Sequence, residues 1–124
     1  MLKKSLKNIP TFIAGDKTII QEFIHPKNDG VDVQYSLAHA IVEVGKSSEP
    51  HILHQSSELY VILEGESILH VGGEAEILRG GDAALVPAGA LQWIENIGNV
   101  NLKFYVIVSP PWRAEEEEIL IENW

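Results

Sequence analysis

The chain has 124 residues, 45% of them hydrophobic, and carries nine Lys and Arg against eighteen Asp and Glu, a formal net charge of −9. That size suits a single globular domain with one core, and the acidity speaks against a nucleic-acid backbone as partner, which would need clustered Lys and Arg. No apolar run approaches the ~20 residues that span a bilayer, and the absence of cysteine excludes disulfides, a thiolate nucleophile and thiolate metal sites.

Met1-Leu2-Lys3-Lys4 opens like a signal peptide, but polar residues and Pro10 interrupt any apolar region, so the cytoplasm is the expected compartment. Residues 1–16 form an N-terminal arm that is either a short helix or an added edge strand. From there on, apolar residues recur with period two in short runs separated by turn chemistry, the pattern of half-buried strands. Strands are predicted over 18–24, 33–44, 58–63, 67–71, 74–78, 83–86, 91–95 and 102–108. Between them lie Asn28-Asp29-Gly30, Gly45, Gly65, Gly72-Gly73, Gly80-Gly81, Pro87, Asn96 to Asn99 and Pro110-Pro111, residues that suit turns or end strands. No stretch of about a dozen residues shows a helical period. The acidic tail, 112–124, is a terminal helix turn or an extended arm. Its Ile119, Leu120, Ile121 and Trp124 predict packing on the barrel or on a second subunit, and a homodimer is the expected assembly. The reading is all-β, one domain over 1–124, closed into a sandwich or small barrel.

Two segments carry more than a fold signal. In the first, 45–65, Gly45 is followed after five residues by His51, then come His54 and Glu58, and six further residues lead to Gly65. In the second, 81–96, Gly81 leads after five residues to Pro87 and Gly89, then Gln92 and Asn96. Together they resemble the two motifs of the cupin superfamily, in its small single-domain form. The resemblance implies a jelly-roll barrel, the double-stranded β-helix. Its first motif supplies two His and one Glu, and its second a third His, all aimed at one divalent metal inside the barrel.

This sequence departs from the pattern twice. His51 and His54 are separated by two residues where the family has one, and on a regular strand positions i and i+3 face opposite sides. A bulge between them, the expectation here, turns both rings inward; otherwise only one is a ligand. Gln92 stands in place of the third histidine, and its amide oxygen is a neutral, weaker donor. The metal set is therefore His51, His54, Glu58 and Gln92, holding one ion of Mn, Fe, Ni or Zn. The alternative is a metal-free pocket in which these side chains bond a ligand or each other. Gln92 serves as a direct ligand or as a substrate-binding amide.

Tyr60 shares the parity of Glu58 and either lines the cavity or is a core tyrosine. His39 is within reach of the cavity, although Ala38, Ala40 and Val42 read as the inward face and a packed or interface histidine is the better reading. His25 and His70 read as surface residues, Trp93 as packing, and Trp112 with Arg113 as a cap on the barrel mouth or cover for an edge. Ser56 and Ser57 beside His54 lack any mark of an activated hydroxyl.

Two functions follow. The first is a metal-dependent cupin that acts on an oxygen-rich small molecule as an oxygenase, decarboxylase or isomerase, with Glu58 as a catalytic base if it is released from the metal. The second is a non-catalytic binding cupin that holds a sugar-like ligand around a degenerate or empty metal site. Few Lys and Arg count against phosphosugars.

Overall fold

The computed structural model describes residues 1–120. A 3-10 turn at Leu6–Asn8 leads to β1 (Phe12–Ile13), β2 (Ile19–Ile24), one helical turn α1 (Pro26–Asp29) and β3 (Ser36–Val42). Then follow β4 (His51–Leu53), β5 (Ser57–Glu64), β6 (Glu66–Val71), β7 (Glu74–Arg79), β8 (Ala83–Val86), β9 (Leu91–Asn96) and β10 (Leu102–Ser109). A second 3-10 turn, Ala114–Glu116, precedes β11 (Glu117–Ile119). The eight predicted strands are all present. The short β1, β4 and β11 add to them, and α1 occupies what reads in sequence as part of a turn.

The strands form two antiparallel sheets packed face to face, in the orders β1-β2-β3-β10-β5-β8 and β11-β4-β9-β6-β7. From β3 to β11 successive strands switch sheets, save for the β6–β7 hairpin, so that neighbours within a sheet are mostly non-consecutive, which is the jelly-roll expectation. β10 sits near the centre of the larger sheet, paired with β3 on one side and β5 on the other. Its alternation is the period-two pattern made physical: Leu102, Phe104, Val106 and Val108 are buried, while Lys103, Tyr105 and Ile107 turn to the outer face. Phe104 stacks on Tyr60 at 5.6 Å between ring centroids. Together with Ala40, Val42, Ile62 and Val86 from the same sheet and Leu69, Leu78 and Ile94 from the other, they make one core. Each large apolar side chain so buried contributes about 1.5–3 kcal/mol.

The motif glycines and asparagine prove to be structural. Gly65 turns the chain from β5 into β6 at φ 98°, and a Cβ there would lie 3.1 Å from the Leu102 Cα. Only glycine meets both demands. Asn96 donates from Nδ2 to the carbonyls of Val42 and Val100 at 3.0 and 2.8 Å, and accepts from Gly98 N–H at 2.9 Å. It thereby ties the β9–β10 turn to the end of β3. The edge strand β7 presents Glu74, Glu76 and Arg79 to solvent, which discourages pairing with another edge.

The two arms resolve into mixed structures. The N-terminal one holds both a 3-10 turn and an edge strand. The C-terminal one pairs β11 with β4, Glu117 opposite Leu53 and Ile119 opposite His51, and Leu120 N–H donates to the Pro50 carbonyl at 2.8 Å. That arm packs on the barrel; Ile121 and Trp124 lie outside the described residues. Among the described residues no helix is long and apolar enough to cross a membrane.

Candidate functional site

Between the sheets lies a cavity of about 330 Å³. Its wall is mostly apolar, including Ile20, Ala40, Ile94, Phe104 and Val106. Its ionisable groups are His51 and the carboxylates of Asp16, Glu22, Glu58 and Glu117, with the Tyr60 hydroxyl beside them. Lysine and arginine are absent from this lining.

His51 begins β4, whose inward residues are His51 and Leu53, both buried. The ring is fixed on both sides: Nδ1 is 2.9 Å from the Glu49 carbonyl, to which it donates, and 3.8 Å from Asp16 Oδ2. Nε2 lies 3.7 Å from Glu58 Oε1. Burial by itself would pull the imidazole pKa down, but the Glu58 carboxylate, with Asp16 and the Glu49 carbonyl, outweighs burial and raises it from 6.5 to about 9. The ring is therefore an imidazolium at neutral pH. Glu58 is 8% exposed, and its Oε1 is enclosed without a hydrogen-bond partner.

Tyr60 is buried and donates to Gln92 Oε1 at 2.5 Å. Burial first, then the negative charges of Glu58, Asp16 and Glu117, push its pKa well above 10, so the phenol keeps its proton. Gln92, 1% exposed, stands opposite His51 in the β4–β9 pairing and sits behind the cavity wall, bonded to Tyr60.

His54 corrects the expectation of an inward pair. The strand ends at Leu53, His54 N–H donates to the Glu116 carbonyl at 3.1 Å, and the side chain turns out, 52% exposed, with Nε2 2.8 Å from Glu118 Oε1. No bulge restores the missing parity; the i, i+3 spacing puts the rings on opposite sides, as simple strand geometry requires. His39 is likewise not part of the cavity. It faces the outer side of β3, buried there, with its ring edge-on to Tyr105 at 5.8 Å. His70 stacks on Trp93 at 4.2 Å and meets Glu95 Oε1 at 2.6 Å, on the outer face of the smaller sheet.

Two site residues escape the motif reading. Asp16 is held in the β1–β2 turn, where its Oδ1 accepts from Thr18 N–H and Oγ1 at 3.1 and 2.7 Å, which leaves Oδ2 for His51. The Asp-x-Thr spacing is the only local signal of this Asx turn. Glu117 comes from β11, where Trp112 Nε1 donates to its Oε2 at 3.0 Å. Desolvation raises its pKa; the Trp112 bond opposes this, and nearby Asp16 and Glu58 add to it. A Cβ on Gly15 would come within 3.3 Å of Glu117 Oε1, so the glycine leaves room for this carboxylate. Trp112 also lines the cavity, and its carbonyl accepts from His25 Nε2 at 2.7 Å. His25, which reads as a surface residue, thus fastens the segment after β10 to the end of β2.

The residues present do not fit the metal centre that the resemblance implies. Of its four donors, His54 lies outside the barrel and Gln92 is committed to Tyr60, which leaves His51 and Glu58, whereas such ions take three or four protein ligands. Among the described residues no group of three His, Asp or Glu is placed to hold an ion.

Residues 38–108 match the Cupin domain family. The chain belongs to the cupin family. It is 38% identical to an uncharacterized protein of Methanocaldococcus jannaschii over 97% of this cupin and 95% of that protein. It is also 33% identical over 64 residues to the oxalate-binding protein of Thermotoga maritima, covering 52% of this chain and 53% of the other. The solved structure of a predicted oxalate decarboxylase from Thermotoga maritima superposes with a TM-score of 0.78 at 20% identity, over 88% of this cupin and 99% of that chain. At that identity the superposition bears on the fold.

Proposed function

We propose that this cupin binds a small organic molecule in its barrel cavity, held at its polar end by His51, Glu58, Asp16 and the Tyr60 hydroxyl without a resident metal. One observation carries this reading: an apolar cavity whose polar end gathers His51 between Glu58 at 3.7 Å and Asp16 at 3.8 Å. The volume of about 330 Å³ falls at the low end of small-molecule sites, roughly 300–1,000 Å³. The expectation of a metal-dependent enzyme loses two of its four donors, and the degenerate-site alternative keeps its support.

An acid–base role is the second reading, and it rests on protonation. An imidazolium and a carboxylate side by side on an apolar wall supply a proton donor and a proton acceptor to one bound substrate. In that role His51 is the acid and Glu58 the base.

A homodimer has a suitable surface on the outer face of the larger sheet. There Leu85, Leu59, Ile107 and Leu37 line up across four strands in register, and Leu85 is 64% exposed. A second copy that covers this flat row would bury it. Analytical ultracentrifugation of the wild type and Leu85→Glu tests this; a monomeric wild type overturns it.

Calorimetric titration with sugars, amines, alcohols and dicarboxylates including oxalate, alongside elemental analysis of protein purified without a metal column, tests the main proposal. Saturable binding of an organic ligand to metal-free protein, weakened by Glu58→Gln, is the expected result. One bound transition metal per chain, lost with Glu58→Ala, would sink it.

A further inference from the structure

We infer that the cavity is selective for an organic cation: a primary or quaternary ammonium head on a compact apolar body. The inference rests on the small-molecule reading above and specifies its ligand class. Asp16, Glu58 and Glu117 surround one imidazole, and no lysine or arginine lines the cavity. With His51 protonated, the carboxylates still exceed the positive charge, so an added anion meets net repulsion while a cation meets net attraction.

Charge count alone would describe any acidic cluster, but here a buried side chain points to a missing partner. Glu58 is 8% exposed, lines the cavity, and has an oxygen with no hydrogen-bond partner, because His51 Nε2 stops 3.7 Å short of it. A buried carboxylate oxygen left unpaired is costly, and a cation offsets the cost, a primary ammonium by donating to the oxygen and a quaternary one through charge alone. Glu117 adds another carboxylate to the lining: Trp112 supplies one donor to Oε2, and the absence of a Cβ on Gly15 leaves room beside Oε1.

The surroundings suit an ammonium better than a bare ion. Phe12, Trp112 and Tyr60 line the cavity along with the carboxylates, and aromatic faces attract organic cations. The apolar remainder, from Ile20 to Val106, would take the body of the ligand and would leave a hydrated metal ion without donors. By the same argument a dianion such as oxalate is a poor fit to this cavity, whatever the related binding protein holds.

The test uses isosteric probes on the full chain. Benzyltrimethylammonium and benzylamine, their neutral counterpart benzyl alcohol, the anion benzoate, and Mn²⁺ or Zn²⁺ are titrated by calorimetry and thermal shift. Wild type is compared with Glu117→Gln, whose amide oxygen still accepts from Trp112. The ammonium probes are expected to bind at least roughly tenfold tighter than benzyl alcohol, with most of that margin lost in Glu117→Gln and benzoate the weakest. Equal binding of alcohol and ammonium, or a preference for benzoate, overturns the cation inference and leaves the small-molecule reading standing. Saturation by the metal alone overturns both, and saturation by no probe overturns the cation inference. The comparison of probes on wild type decides the matter even if the variant fails to fold.

Discussion

His51 Nε2 and Glu58 Oε1 face each other at 3.7 Å inside the barrel, each almost fully buried. The distance is too long for a hydrogen bond and short enough for strong charge coupling. The pair makes the interior of this small protein sensitive to pH.

The sign follows from the direction of the His51 shift. A pKa raised from 6.5 to about 9 means that folding favours the imidazolium, so its contribution is complete below about pH 6.5 and is lost as pH rises through about 9. Full effect is on the order of 3 kcal/mol. Urea unfolding of wild type and His51→Gln from pH 6 to 10 should show the stability difference shrinking with pH. A pH-independent difference would show that the imidazolium is not the favoured form.

Tyr60→Phe removes the donor to Gln92 Oε1 and strands that oxygen in the core. The expected cost is about 1–3 kcal/mol, and replacing both partners, Tyr60→Phe with Gln92→Leu, should recover part of it. Denaturation midpoints of the two single variants and the double variant measure the coupling. Strict additivity would argue that the bond contributes nothing.

His54→Ala should leave cavity binding unchanged and alter stability by less than about 0.5 kcal/mol, since an exposed pair with Glu118 contributes little. His51→Ala should abolish binding. If both variants lose binding alike, then His54 turns inward in solution and the two-histidine site returns.

Gly65→Ala forces a side chain into left-handed backbone and against the Leu102 main chain. A loss of about 1–3 kcal/mol is expected, more than for alanine at Gly73, where a Cβ meets open space. Thermal melts of both variants compare them directly.

Much of this was legible from residue patterns. Strands β5 to β10 announce themselves through alternation and glycine turns, because half-buried strands must alternate and hairpins need positive φ. β4 hides because three residues after Pro50 carry too little pattern. The motif places His51 and Glu58 on the inner face, and the parity rule alone would have placed His54 outside; expecting a bulge gave family spacing precedence over strand geometry. Asp16 and Glu117 lay beyond any local reading. The run from Glu115 to Glu118 looks like a solvated face, and only the pairing of β11 with β4 turns Glu117 to the cavity while Glu118 faces outward to His54.

The pairing of β11 with β4 has a temporal consequence. Asp16 and Glu117 stand roughly a hundred residues apart in sequence yet border the same cavity, so closing it means paying the entropy of a very long loop. During synthesis the core strands have all emerged before the last wall of the pocket exists. Any ligand that the cavity takes would therefore register the docking of β11: a nascent chain that stops short of Trp112 and Glu117 carries β1 to β10 and lacks those residues of the pocket.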